Sequence, residues 1–255
     1  AFILAFALFV FGGAEALGQD QGSMFYSGDL NSFSAESMSY NSTTDNWVVT
    51  IGASGNDSNS EFLFRDSGSN FNNKWARGDV VSFDEITDWF SGGGDGNISV
   101  SSGQFYTFVI KDEPDGVNTS GFVAETNSDV VSISSVSRDK STAYPKQAVT
   151  VTANLSAGLP AGQGIYLRYS TDGFSSSTVV QMSCSSGSCT ADIPSSANSG
   201  GASVEYYTLS SGDGASVSHS NADLFTINLN NNSGSNYSYT VESSWTTSGT
   251  GDGSW

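Results

Sequence analysis

The feature that most limits what this chain can fold into is its punctuation. Short apolar or alternating runs recur between clusters of Ser, Gly, Asn, Asp and Thr, and helical periodicity is nearly absent. Runs of about four to eight residues bounded by turn formers read as strands, because a strand places alternate side chains on one face. Val149-Thr-Val-Thr-Ala153 shows this most clearly, with one face apolar and the other polar. The expected fold class is therefore all-β, as two tandem antiparallel β-sandwich domains after an N-terminal signal. The one helical candidate is residues 82–90, stopped by Gly92-Gly93-Gly94.

The chain opens on Ala1-Phe-Ile-Leu-Ala-Phe-Ala-Leu-Phe-Val-Phe11, an apolar run too short to cross a bilayer, and then reaches Ala14-Glu15-Ala16. This pattern predicts a secretory signal over residues 1–18, hence a secreted or cell-surface location. No later run is long and apolar enough for a membrane helix. What remains suits one large or two ordinary domains, and two is the reading adopted.

A first block, residues 19–127, carries six strand-like runs at 23–27, 46–51, 61–65, 97–100, 104–110 and 121–124, separated by long loops. A second block, residues 128–229, carries seven at closer spacing: 130–136, 148–154, 164–169, 178–182, 189–193, 203–209 and 224–229. Seven short strands at that spacing form an antiparallel two-sheet sandwich. From residue 230 the composition turns to Asn, Ser and Gly and predicts a flexible linker. The closing Gly-Asp-Gly-Ser-Trp255 then reads as the start of a further, truncated domain, in which a catalytic activity could reside.

With 8 basic and 26 acidic side chains the net charge is −18. No basic patch exists to neutralise a phosphate backbone, so neither nucleic acid nor an anionic membrane surface is an expected partner. Cys184 and Cys189 flank Ser-Ser-Gly-Ser. In an exported chain this spacing predicts a disulfide across a hairpin, here one joining the Val179 and Ala191 strands. A metal site would need more ligands than this pair, and His219 is the sole histidine.

The second block contains Ile165-Tyr-Leu-Arg-Tyr-Ser-Thr-Asp-Gly-Phe174, Ala191-Asp-Ile-Pro194 and Val204-Glu-Tyr-Tyr-Thr208. These residues resemble the fibronectin-type or immunoglobulin-like modules of secreted multidomain proteins of Bacteroidota. That resemblance implies a spacer or presentation domain without an active site. In the first block, Phe25-Tyr-Ser-Gly-Asp-Leu-Asn-Ser-Phe33, Met38, Asn46-Trp47, Glu61-Phe-Leu-Phe64 and Trp75 resemble starch-binding and glycogen-binding β-sandwich modules. It implies polysaccharide as a partner.

A sugar site needs flat aromatic faces together with amides and hydroxyls. The candidate ligand-binding residues are Trp75, Phe71, Asn73 and Trp89, with Trp75 foremost because it follows an Asn-rich stretch expected to be an exposed loop. The competing reading, that Trp75 packs over a sheet edge, carries equal weight, and Trp89 favours a core role. Trp47, among Val48, Val49 and Ile51, reads as core. No nucleophile-elbow motif accompanies His219, so it reads as a surface residue, and Asp112, Glu113 and Asp115 read as a charged loop. No cofactor is expected; no EF-hand loop appears, and calcium held by Asp and Asn loop oxygens, as in any acidic exported sandwich, is an open alternative that is not predicted.

Two functions follow. One is a non-catalytic polysaccharide-binding and presentation region of a larger secreted or cell-surface protein. The other is a structural or adhesive stalk with no ligand of its own. Exposure of Trp75 beside a second, coplanar aromatic separates them.

Overall fold

The structure is a computed structural model that describes residues 19–243. The signal expected over residues 1–18 and the start of a further domain expected in Gly-Asp-Gly-Ser-Trp255 lie outside the described residues.

Ten strands build the first half: β1 (Phe25–Gly28), β2 (Glu36–Ser37), β3 (Ser39–Asn41), β4 (Asn46–Gly52), β5 (Asp57–Arg65), β6 (Lys74–Ala76), β7 (Thr87–Ser91), β8 (Gly96–Val100), β9 (Phe105–Lys111) and β10 (Thr119–Thr126). They form one sheet in the order β2-β1-β5-β6-β7-β10-β9-β4-β3, with β8 beside β5. β7 is the fold line, since Phe90 and Ser91 pair with β6 while Thr87, Asp88 and Trp89 pair with β10. The two arms consequently face each other. Tyr26 of β1 and Phe62 of β5 bring their rings within 4.5 and 4.8 Å of Phe108 on β9.

The helix expected over residues 82–90 is not there. Trp89 sits between Phe62 and Phe64 at 5.4 and 5.1 Å, and an indole there lies beside Gly96 and Gly121, which have no side chain to displace it. Contacts distant in sequence thus select strand over local helix propensity.

The second half contains β11 (Ile133–Arg138), β12 (Val149–Leu155), β13 (Gln163–Ser170), β14 (Thr178–Gln181), β15 (Ser183–Ser185), β16 (Ser188–Ile193), β17 (Ser203–Gly212), β18 (Asn228–Asn230) and β19 (Tyr237–Thr240). One sheet runs β11-β12-β16-β15; the other runs β14-β13-β17-β18, with β19 also on β17. This is the ABED and C′CFG arrangement of an immunoglobulin-like sandwich, with its last strand divided into β18 and β19. Its core is mainly aliphatic, including Val149, Val151, Ile165, Leu167, Ile193 and Val204.

Two expectations change here. The chain leaves β14 for the opposite sheet at Met182, so the disulfide joins β15 to β16 and not the Val179 strand. Cys184 and Cys189 are directly opposed across that hairpin and bonded. In addition, the stretch read as a linker from residue 230 contains β19, held because Tyr237 and Tyr239 pack on Tyr206 at 5.5 and 6.2 Å. The named strand pairings are all antiparallel. The helical turns among the described residues are two short 3-10 segments, Asp29–Asn31 and Ser195–Ala197, and no described helix is long and apolar enough to cross a membrane.

Candidate functional site

The four expected ligand residues do not form a platform. Trp75 lies in β6 at 1% exposure, and its Nε1 donates to the Val117 carbonyl at 2.7 Å. The exposed loop expected to include it ends at Asn73, because Phe64 and Arg65 pair with Trp75 and Lys74. Trp89 is fully buried. Phe71 is 46% exposed, but the Arg65 guanidinium covers its ring at 4.1 Å. Asn73 uses its Nδ2 on Asp66 and Asp115 at 2.9 and 2.8 Å. Exposed, coplanar stacking faces are therefore not supplied by Trp75 and Trp89.

Trp47 is core as expected, and it exposes what the acidic turn does. Its Nε1 donates to Asp112 Oδ1 at 2.7 Å, and that carboxylate also accepts from the backbone N–H groups of Asp20 and Gln21. Asp112 is 1% exposed. It is a buried acceptor that fastens residues 20–21 to the first half, and its reading as a solvated loop charge is corrected. A carboxylate so placed is satisfied by charge-assisted bonds, which repay its desolvation.

His219 is on the surface, with Nδ1 2.9 Å from Ser177 Oγ. Arg168 Nε donates to the same hydroxyl at 2.9 Å. Among the described residues no carboxylate bonds the His219 ring, so the third role of a Ser-His-Asp triad is unfilled. Arg168 is itself structural: its guanidinium holds Tyr207 and Asp223 at 2.6 and 2.7 Å and reaches the His219 carbonyl. Among the described residues no cluster of three or more His, Cys, Asp or Glu could hold a metal.

The feature that sequence reasoning missed is the joint between the halves. β9 and β10 are buried on both faces: Tyr106, Phe108, Ile110 and Val123 fill the first core, while Val109, Phe122 and Ala124 face the second half. There they meet Ala215, Phe225 and Ile227, with Phe122 and Phe225 in edge contact at 5.0 Å. The signal was present in the unbroken run Phe-Tyr-Thr-Phe-Val-Ile110, since two-sided burial removes polar alternation. Nothing local says which partner covers the second face.

Polar contacts fix the angle. Asn46, fully buried, donates its Nδ2 to the Asp223 carbonyl. The connecting segment is clamped by Gln163, whose side-chain amide makes two 2.9 Å bonds to the Val131 backbone, and by Asn127, bonded to Ala161 through both its backbone N–H and its side chain. Gly162, at φ +92°, lies so close to the Glu125 carbonyl that a Cβ would sit 2.1 Å from it.

Asp84 is the strained member of this joint. It stands at φ +58°, which is uncommon outside glycine, and its Oδ2 accepts from Gly214 N–H at 3.2 Å. A Cβ on Gly212 would fall 1.6 Å from its Oδ1, an oxygen that is buried without a hydrogen-bond partner. Burial, with Asp213 and Glu125 nearby, pushes the Asp84 carboxyl up to about 6.

Comparison with known proteins adds little to this geometry. No family model and no curated protein matches the chain. Among solved structures, a two-domain fibronectin type-III segment from chicken tenascin aligns with 76% of this chain and 97% of its own, at 10% identity and a TM-score of 0.26. A likeness at that score carries no argument, and the sandwich assignment rests on the strand order described above.

Proposed function

We propose that the chain is a rigid, non-catalytic structural unit, a two-sandwich spacer that holds whatever adjoins it at a set distance and angle. The observation that carries this reading is the joint, where an apolar cluster and a clamped connection replace a flexible linker. Independent domains on a tether need no such contact, and its burial has a use when orientation must be kept. A location outside the cytoplasm fits the cross-strand disulfide and the acidic surface.

Polysaccharide binding through Trp75 and Trp89 is not part of this proposal, because each indole is committed to the core. Residual dipolar couplings test the spacer reading. Amides of the two halves should fit one shared alignment tensor in solution. Two tensors of different magnitude would mean that the halves reorient independently, and the spacer reading would be abandoned.

A further inference from the structure

Beside its apolar contact, the joint has an acidic side. A crevice of about 430 Å³ opens there between the halves, lined by Asp84 and Glu125 of the first and Asp213 of the second. No Lys, Arg or His is among its lining residues, so three carboxylates share one opening without a counter-charge.

Asp84 is the one that enters the contact. Its backbone is fixed to the first half, where its N–H donates to the Val123 carbonyl at 2.9 Å. Its side chain crosses to the end of β17 and the turn that follows. There it accepts from the Gly214 N–H, and it lies so close that a Cβ on Gly212 or Gly214 would stand 1.6 or 2.8 Å from a carboxylate oxygen. Three ionisable groups of the packed elements face it: Asp213 in that turn, Glu125 on β10 and Tyr166 on β13. Tyr166 directs its hydroxyl to the Gly212 and Ala215 carbonyls at 3.0 and 3.3 Å, so it gives Asp84 no donor.

We propose that Asp84 is a proton-operated latch on the joint, which holds the two halves closed when the carboxyl is protonated and lets that edge open more often when it is ionised. The reason is where the charge sits. A carboxylate pressed against Gly212 and Gly214 has one oxygen enclosed without a donor and two like charges nearby, whereas opening the joint returns it to water. The neutral carboxyl has no charge to hydrate. Its elevation to about 6 places the change between about pH 4 and that value, with the closed joint favoured on the acid side.

The latch rests on the spacer reading, since it acts on the same joint. It changes how often the joint opens, and the closed halves keep one orientation at either pH. Failures of the two are distinguishable: independent alignment tensors remove the spacer, while a shared tensor with no pH response removes only the latch.

Hydrogen exchange of the full, oxidised chain at pH 5 and pH 7.5 tests it, with each rate divided by that of an unstructured amide at the same pH. The Gly214 N–H, which bonds Asp84 itself, is the reporter. It should exchange through openings that leave both halves folded, hence with less protection than the Phe108 and Leu167 amides of the central strands. Opening in the parent should be about fivefold more frequent at pH 7.5 than at pH 5, once solvent screening at this half-buried site is allowed for. Asp84→Asn should abolish the difference, since asparagine tolerates the positive φ and cannot ionise. Asp213→Asn, at an exposed turn position, removes one facing charge; it should reduce the ratio and serves if the first variant folds poorly. Equal opening of the parent at both pH values, or a pH ratio that neither substitution changes, overturns the latch. So does a Gly214 amide as protected as those of Phe108 and Leu167, because the joint would then part only when a half unfolds.

Discussion

The two halves are both antiparallel sandwiches, yet they are held together differently. The first half is filled by aromatic rings: Tyr26, Trp47, Phe62, Phe64, Trp75, Trp89, Tyr106 and Phe108 all belong to one cluster. The second relies on Val, Ile and Leu at alternating positions and adds a covalent cross-strand link. Large rings bury much area from few positions, so a half with short strands and long, polar loops can still close a core. Regular strands with small side chains need more contributing positions, and the second half has them.

The largest expected effect breaks the aromatic half. Trp75→Ala should cost about 3–5 kcal/mol of stability, as truncation of a buried indole does, against about 2 kcal/mol for Val151→Ala in the aliphatic core. Urea denaturation of the two variants checks this. A Trp75→Ala protein that melts like the parent would show that the indole is not core.

Next in size, reduction of Cys184–Cys189 should cost about 2 kcal/mol, since a loop this short removes little entropy from the unfolded chain. The effect belongs to the second half and should appear as a lower denaturation midpoint under reducing conditions. An unchanged midpoint would mean that the ladder alone holds β15 to β16.

Between the halves, Asp84 makes stability depend on pH. Its folded value is raised, so the folded state favours the protonated carboxyl. The stability it contributes is present at low pH and is lost as pH rises from about 4 through about 6. Asp84→Asn should flatten that window and raise stability at pH 7 by about 1 kcal/mol, once screening at this half-buried site is allowed for. Denaturation midpoints at pH 4.5 and 7 in parent and variant decide it. Equal pH dependence in both would remove Asp84 from the account.

The smallest effect expected is that of Phe71→Ala, within about 0.5 kcal/mol by thermal melting, since a partly exposed ring under a guanidinium contributes little. A larger loss would give that loop a structural role it does not have here.

The same contrast explains what could be read from the sequence. β12 was legible because Val149, Val151 and Ala153 point one way into one core, and the disulfide was legible because only two cysteines exist. β6 and β7 were not, since a strand as short as Lys74–Ala76 has no room to show a period and Thr87–Ser91 is specified by rings far along the chain. β19 could have been found from Tyr-Ser-Tyr-Thr-Val241, whose alternation was hidden by the Asn- and Ser-rich stretch before it. The binding residues failed for a physical reason: Trp next to polar residues looks like a loop platform, but a short strand can bury it between two such loops. The joint was half legible, as a strand apolar on both faces whose second partner lies in the other half.

That joint is the central claim, and denaturation followed separately in each half tests it most directly. Phe108 and Leu167 are fully buried, one in each core, and their amide signals can be followed through a urea series. The two should disappear at one midpoint in the parent chain and separate when Phe225→Ala removes the ring that packs against Phe122, because the coupling resides in that contact. Two distinct midpoints in the parent, or a Phe225→Ala chain that still unfolds in one step at the parent's midpoint, would contradict a rigid two-sandwich unit.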